Sequence, residues 1–229
     1  MIPYEKERRE VLEIAQKMLH KGHVVGTSGN VSMRIKAKSE DEEEVYAITP
    51  SDMDYDEIDV EDIVIMNARG KRVKDAKGKR NRPSVEKLLH LGIYEIRSDV
   101  NGIIHTHSLF PSAVSLLADS LPNEELPAIL EDQTIFLGGA IKIAKYAPTG
   151  SPELAKTVHE TIGDKACLIL RHHGAVCVGK NLQKAYRNVE LLNKTAKIFI
   201  FGSALGKLTP LSPEALEYAL RLYAATRQI

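Results

Sequence analysis

Val100-Asn101-Gly102-Ile103-Ile104-His105-Thr106-His107 is the stretch on which the fold turns. Its short apolar run reads as a strand that closes on two histidines. In extended backbone, residues two apart point to the same face, about 6.5 Å apart along the chain. Both imidazoles therefore reach one side and can share one metal ion. A second apolar run, Ala166-Cys167-Leu168-Ile169-Leu170, leads through Arg171 to His172-His173. Neighbouring strand residues face opposite ways, so only one of this pair can join the ion, and spacing does not choose between them. Upstream, Glu86 is a candidate carboxylate. Three imidazoles with an open fourth position make the ligand set of a catalytic zinc rather than a closed structural one.

Outward from these runs, helical and extended patterns alternate. Residues 4–20 repeat apolar positions at helical spacing, and Gly22 stops them. Gly26-Thr27-Ser28-Gly29-Asn30 is a tight polar loop, and residues 31–35 alternate as a strand. The charge run 36–44 reads as a solvated hairpin tip between that strand and its return over 45–49, and 62–66 as a further strand. Pro83 opens a helix to about Arg97, with Ser84 and Glu86 in its first turn. Ser108–Leu117 reads as a short helix and 119–127 as irregular chain. Thr134–Ala144, which carries Gly138-Gly139, reads as two short strands or one bulged strand. Ser151 caps a helix over 152–162. Residues 166–178 read as strand, turn and strand, followed by helices over 182–205 and 213–227. This order predicts a single α/β domain spanning 1–229, with a mixed or antiparallel sheet covered by helices.

Composition narrows the function. Of 229 residues, 43% are hydrophobic and 27% charged, and lysine plus arginine balance aspartate plus glutamate to a formal charge of +0. That balance argues against a nucleic-acid surface, which needs a basic stripe. No stretch approaches the roughly 18 apolar residues of a membrane span, and the amino terminus does not resemble a signal peptide. A cytoplasmic protein with two buried, reduced cysteines, Cys167 and Cys177, is the expectation. His20, His23, His90 and His159 sit in or beside helices and read as ordinary core or surface residues; a supporting role for His90, one turn beyond Glu86, is the lesser alternative. Taken alone, Glu86 complements a helix dipole. Beside a divalent ion a carboxylate is a ligand or a general base. Tyr146, ahead of a Pro/Gly turn, reads alone as a packing residue. The Gly26–Asn30 loop reads as a connection, or as a set of backbone N–H groups facing an anion.

Taken together, Gly26-Thr27-Ser28-Gly29-Asn30-Val31-Ser32, Ile48-Thr49-Pro50-Ser51, Pro83-Ser84-Val85-Glu86, His105-Thr106-His107-Ser108, Tyr146-Ala147-Pro148-Thr149-Gly150 and His173-Gly174 resemble, in order, the zinc-dependent class II aldolase and adducin head family. The resemblance spans about residues 5 to 205. It implies a three-layer α/β/α sandwich around a mixed, mostly antiparallel sheet, and a cyclic homotetramer with sites between subunits. It assigns His105, His107 and His173 as ligands of one Zn2+ per subunit, with Mn2+ or Co2+ as substitutes, and so selects His173 over His172. It further implies Glu86 as acid/base carboxylate, Thr27, Asn30, Ser51 and Ser84 as phosphate-binding residues, and Tyr146 as a proton donor offered to the neighbouring subunit. The implied reaction is retro-aldol cleavage of a ketose 1-phosphate, as in the fuculose-phosphate enzymes, to dihydroxyacetone phosphate and a short aldehyde. Pentulose-phosphate 4-epimerisation and sugar-phosphate dehydration are the alternatives within the family. A non-catalytic adducin-like module is the alternative outside catalysis, and the retained histidines speak against it. The sequence departs from the fuculose-phosphate pattern twice. Asp52 stands where those enzymes have a glycine, and a carboxylate there repels phosphate. Val85 replaces a second serine hydroxyl.

Overall fold

In the computed structural model, which describes residues 2–37, 43–73, 78–79 and 81–227, the decisive run forms strand β4 (Gly102–Thr106), buried along its whole length. A strand covered on both faces needs an almost unbroken apolar sequence, which this run supplies. It lies near the middle of an eight-stranded sheet. The other strands are β1 (Asn30–Ile35), β2 (Val45–Ile48), β3 (Val64–Asn67), β5 (Glu125–Leu126), β6 (Ile141–Ala144), β7 (Cys167–Leu170) and β8 (Gly174–Gly179). Their order across the sheet is β3-β2-β1-β4-β8-β7-β6-β5. Every neighbouring pair is antiparallel except β6 with β7. Asn30 faces His105 across β1 and β4, and Thr106 faces Ala175 across β4 and β8. The histidine-bearing end of β4 is thus flanked by the glycine-rich loop on one side and the start of β8 on the other.

Helices α1 (Glu5–His20), α3 (Leu109–Ser115) and α6 (Leu182–Leu205) cover one face, and α2 (Lys87–Ile96) and α5 (Pro152–Ile162) the other. The result is the expected α/β/α layering around a mostly antiparallel sheet. Helix α1 turns Val11, Ile14, Ala15 and Met18 inward, the periodicity read from its sequence. Helix α5 is capped by the Ser151 hydroxyl, which accepts from the Leu154 N–H at 3.1 Å. The long α6 is capped by Asn181, which accepts from the Lys184 N–H at 2.8 Å. The cysteines face each other directly across β7 and β8; both are free and buried, and burial pushes the Cys177 thiol up.

Three segments differ from expectation. Residues 134–137 are not strand: they end helix α4 (Glu131–Leu137), which Gly138 stops in the left-handed region at φ 96° before β6 begins. The glycine pair therefore acts as a helix stop rather than a bulge. Buried Gln133 holds the entry to α4, its Oε1 accepting from the Ile129 N–H at 3.0 Å. The helix expected from Pro83 begins at Lys87, so Ser84 lies ahead of it and Glu86 sits at its N-cap. The chain over 119–127 contains two 3-10 turns and β5. Helix α7 (Pro213–Arg227) follows expectation, with the Ser212 hydroxyl accepting from the Ala215 N–H at 3.3 Å. The tip of the expected charged hairpin, 38–42, lies outside the described residues, while its arms pair as β1 and β2.

Candidate metal and active site

Four side chains converge where β4, the β7–β8 turn and the start of α2 meet. Donor atoms of Glu86, His105, His107 and His173 all lie within 4.8 Å of one another. The Nε2 of His105 is 3.0 Å from the Nε2 of His107 and 3.0 Å from Glu86 Oε2. The Nε2 of His173 is 3.4 Å from Glu86 Oε1. The rings stand edge to face, with centroids 4.7 to 4.9 Å apart. His105 Nδ1 donates to the Ala175 carbonyl at 3.0 Å, which fixes the tautomer and turns the Nε2 lone pair inward. Burial, with His105 and His173 as the next causes, holds His107 down at about 4. Burial, with His105 as its next cause, holds His173 at about 4 as well. Both rings are neutral near pH 7, their lone pairs available. Burial works to raise the Glu86 carboxyl, but His105, His173 and the Asn30 hydrogen bond outweigh it and keep the carboxylate ionised.

Lone pairs and a carboxylate facing one another repel unless a cation stands between them. Two buried atoms here, Glu86 Oε1 and His173 Nε2, have no hydrogen-bond partner. An unsatisfied buried polar group costs about 1–3 kcal/mol. This donor set therefore fits a divalent ion: soft-to-borderline nitrogen ligands plus one carboxylate, clustered and orphaned.

Local sequence explains why the chain closes so tightly. A Cβ at Gly174 would lie 2.1 Å from the Thr106 carbonyl oxygen, so only glycine lets β8 start against the end of β4. His172 takes the left-handed conformation at φ 55° in the β7–β8 turn, is exposed, and leaves His173 to reach the cluster. A Cβ at Gly29, itself at φ 72°, would lie 2.7 Å from the His105 carbonyl, so the polar loop presses on the back of the same strand. The His23 carbonyl accepts from the His107 N–H at 3.1 Å, and the His23 ring meets the Ser108 hydroxyl at 3.1 Å. His23, read from sequence as ordinary, thus anchors the backbone just past β4.

The residues expected at the phosphate are brought together in part. The Ser84 N–H donates to the Thr49 carbonyl at 3.1 Å and the Ser51 N–H to the Arg82 carbonyl at 3.0 Å, which lays 49–51 beside 82–84. The Thr49 hydroxyl accepts from the Val31 N–H at 3.2 Å, joining both segments to β1. Thr27 is exposed on the polar loop, and Asn30 is buried with its Nδ2 donating to Glu86 Oε2 at 2.9 Å. Asp52 lies in the left-handed region at φ 59°, accepts the Ser51 hydroxyl at 3.1 Å and faces Arg82 at 3.9 Å. Tyr146 is 63% exposed, its ring centroid 6.2 Å from that of exposed His172. Sequence reading missed Ser32 and Tyr94 and undervalued His90, which run behind Glu86 in a buried chain of hydrogen bonds. The signal was present: Glu86, His90 and Tyr94 recur every four residues, one face of a helix.

Comparison with known proteins shows the family and supports the fold. Residues 9–200 match the family described as Class II Aldolase and Adducin N-terminal domain. The chain is 30% identical over 213 residues to a 5-deoxy-D-ribulose 1-phosphate aldolase of Bacillus thuringiensis serovar kurstaki, covering 93% of each chain. It is 32% identical over 201 residues to an L-fuculose phosphate aldolase of Methanocaldococcus jannaschii, covering 88% of this chain and 99% of that one. Among solved structures, an L-fuculose 1-phosphate aldolase superposes with a TM-score of 0.85 at 28% identity, covering 97% of this chain and 98% of the other. The chain belongs to the class II aldolase and adducin N-terminal domain family, as an enzyme of the aldehyde-lyase class.

Proposed function

We propose that the chain, as one catalytic domain over 1–229, cleaves a ketose 1-phosphate to dihydroxyacetone phosphate and a short aldehyde. The observation that carries this reading is the pair of orphaned buried atoms, Glu86 Oε1 and His173 Nε2, within a cluster of three inward-facing imidazoles. The names of the two relatives, both aldolases acting on ketose phosphates, support the substrate class. His105, His107 and His173 would hold a Zn2+ ion. The chemistry such an ion supplies when bound is Lewis-acid stabilisation of negative charge on the substrate carbonyl oxygen as the C–C bond opens.

The protein's own groups do the rest. Glu86, held ionised, accepts the proton from the carbon of the ketone fragment in the condensation direction and returns it in cleavage. Tyr146, exposed on the surface of its own chain, reaches the site of a neighbouring subunit and exchanges the proton on the aldehyde-side oxygen. Thr27, Asn30, Ser51 and Ser84 receive the phosphate. This assembly is a homotetramer with sites at subunit interfaces, acting in the cytoplasm. The test is an aldehyde-release assay across ketose 1-phosphates, with and without a chelator. Chelator-sensitive release supports the reading. Turnover that survives complete metal removal rejects it, and an epimer or dehydrated product in place of the aldehyde moves the activity to another reaction of the family.

A further inference from the structure

Behind Glu86 runs a hydrogen-bonded chain whose direction the chemistry fixes. An ionised carboxylate only accepts, so Asn30 must turn its Nδ2 toward Glu86 Oε2, 2.9 Å away. That leaves Asn30 Oδ1, which also only accepts, facing His90 Nε2 within hydrogen-bond distance, so Nε2 carries the proton. His90 is wholly buried, and burial, with nearby His105 as the second cause, holds it at about 3 against the pull of Glu86. It is therefore neutral, its Nδ1 is bare, and Nδ1 takes the Ser32 hydroxyl proton at 2.6 Å. Ser32 Oγ in turn accepts from the Tyr94 hydroxyl at 2.9 Å, which also points at the Ser32 carbonyl at 3.0 Å. All four residues behind Glu86 are at most 3% exposed.

We infer that His90 is a positioning residue for the reaction: with Ser32 and Tyr94 it locks the Asn30 amide so that Glu86 Oε2 is pinned and Oε1 is left free to work. This rests on the reading of Glu86 as the proton carrier. Every donor in the chain points toward the carboxylate, and such aligned bonds polarise one another. Oε2 is the oxygen that receives Asn30, while Oε1 has no hydrogen-bond partner. An imidazole in the other tautomer would present a lone pair to Asn30 Oδ1, flip the amide and turn its oxygen on Glu86.

Two measurements test this. In the wild-type protein at pH 7.5, nitrogen-15 NMR should show His90 as the neutral Nε2–H tautomer; an Nδ1–H tautomer or an imidazolium overturns the inference whatever the enzyme's substrate. In kinetics, H90L removes the donor to Asn30 and H90Q keeps one. H90L should lose about 10- to 100-fold in kcat, with KM within about twofold and zinc stoichiometry by calorimetry unchanged, and H90Q should recover most of the loss. Wild-type kcat in H90L overturns the inference, as does an equal loss in both variants. If H90L does not fold, the tautomer decides alone. If the wild type cleaves no ketose 1-phosphate while His90 is the Nε2–H tautomer, the functional reading fails and the locked amide stands.

Discussion

His105, His107, His173 and Glu86 crowd donor atoms within 4.8 Å of one another, an arrangement that three neutral imidazoles and a carboxylate hold comfortably only around a cation, and the proposed function gives them separable duties. In the proposed metal centre, removing one imidazole removes a ligand. H173A should therefore lower zinc affinity by about 100-fold or more, read by calorimetry, with the circular dichroism spectrum retained. If Glu86 carries the proton as proposed, E86Q should keep zinc on the three imidazoles and lose about 100- to 10,000-fold in kcat. Asp52 is a departure with a readable cost. It holds a left-handed φ of 59° and sets a negative charge against Ser51, one of the residues proposed to receive the phosphate. D52G should lower KM for a phosphorylated substrate several-fold and leave zinc binding unchanged; an unchanged or raised KM would show that Asp52 serves recognition, with Arg82 as its partner at 3.9 Å. At this scale the sequence was partly legible. His105 and His107 were readable because strand periodicity alone aligns them. His172 and His173 were not, because they sit in a turn where His172 is left-handed and alternation does not apply. Ser32 was invisible, since a strand serine declares nothing until its partner on α2 is known.

The elements that were read correctly owe it to patterns that tertiary context reinforces. Strands β4 and β7 are apolar runs buried on both faces, and α5 and α6 begin at side-chain caps. N181A should cost about 1 kcal/mol of stability by uncapping α6. Thr134–Leu137 misled because threonine, isoleucine and phenylalanine favour strands, while the Gln133 anchoring and the glycine stop that make this a helix act through the backbone. Helix α2 carries a pH signature. His90 is held at about 3 in the fold but titrates near 6.5 when unfolded. Between these values the unfolded chain binds the extra proton, so stability falls as pH drops from about 6.5 toward 3, by about 1.4 kcal/mol per pH unit for this group. The loss of melting stability over this range should be smaller in H90Q than in the wild type, His107 and His173 contributing to both; an identical loss in both would mean that His90 titrates alike in the folded and unfolded chain.

For the whole molecule, the sheet order β1-β4-β8-β7 explains how residues from 86 to 173 meet, since β4 and β8 lie side by side with Gly174 against Thr106. This was legible only through the family resemblance, because single-strand patterns do not give strand order. No described helix is long and apolar enough to cross a membrane. A shared site makes a sharp prediction. If the chain assembles as proposed and Glu86 of one subunit works with Tyr146 of the next, mixed assemblies formed by co-expressing equal amounts of E86Q and Y146F should recover about a quarter of wild-type activity, although each variant alone is nearly inactive. Activity no greater than that of the single variants would put both residues to work within one chain.

The direct test of the whole account is a calorimetric titration of chelator-stripped protein with Zn2+. One ion should bind per wild-type chain, and the binding should collapse when His105 and His173 are both replaced by alanine. Equal binding by the double variant, or none by the wild type, would contradict the metal centre on which the mechanism stands.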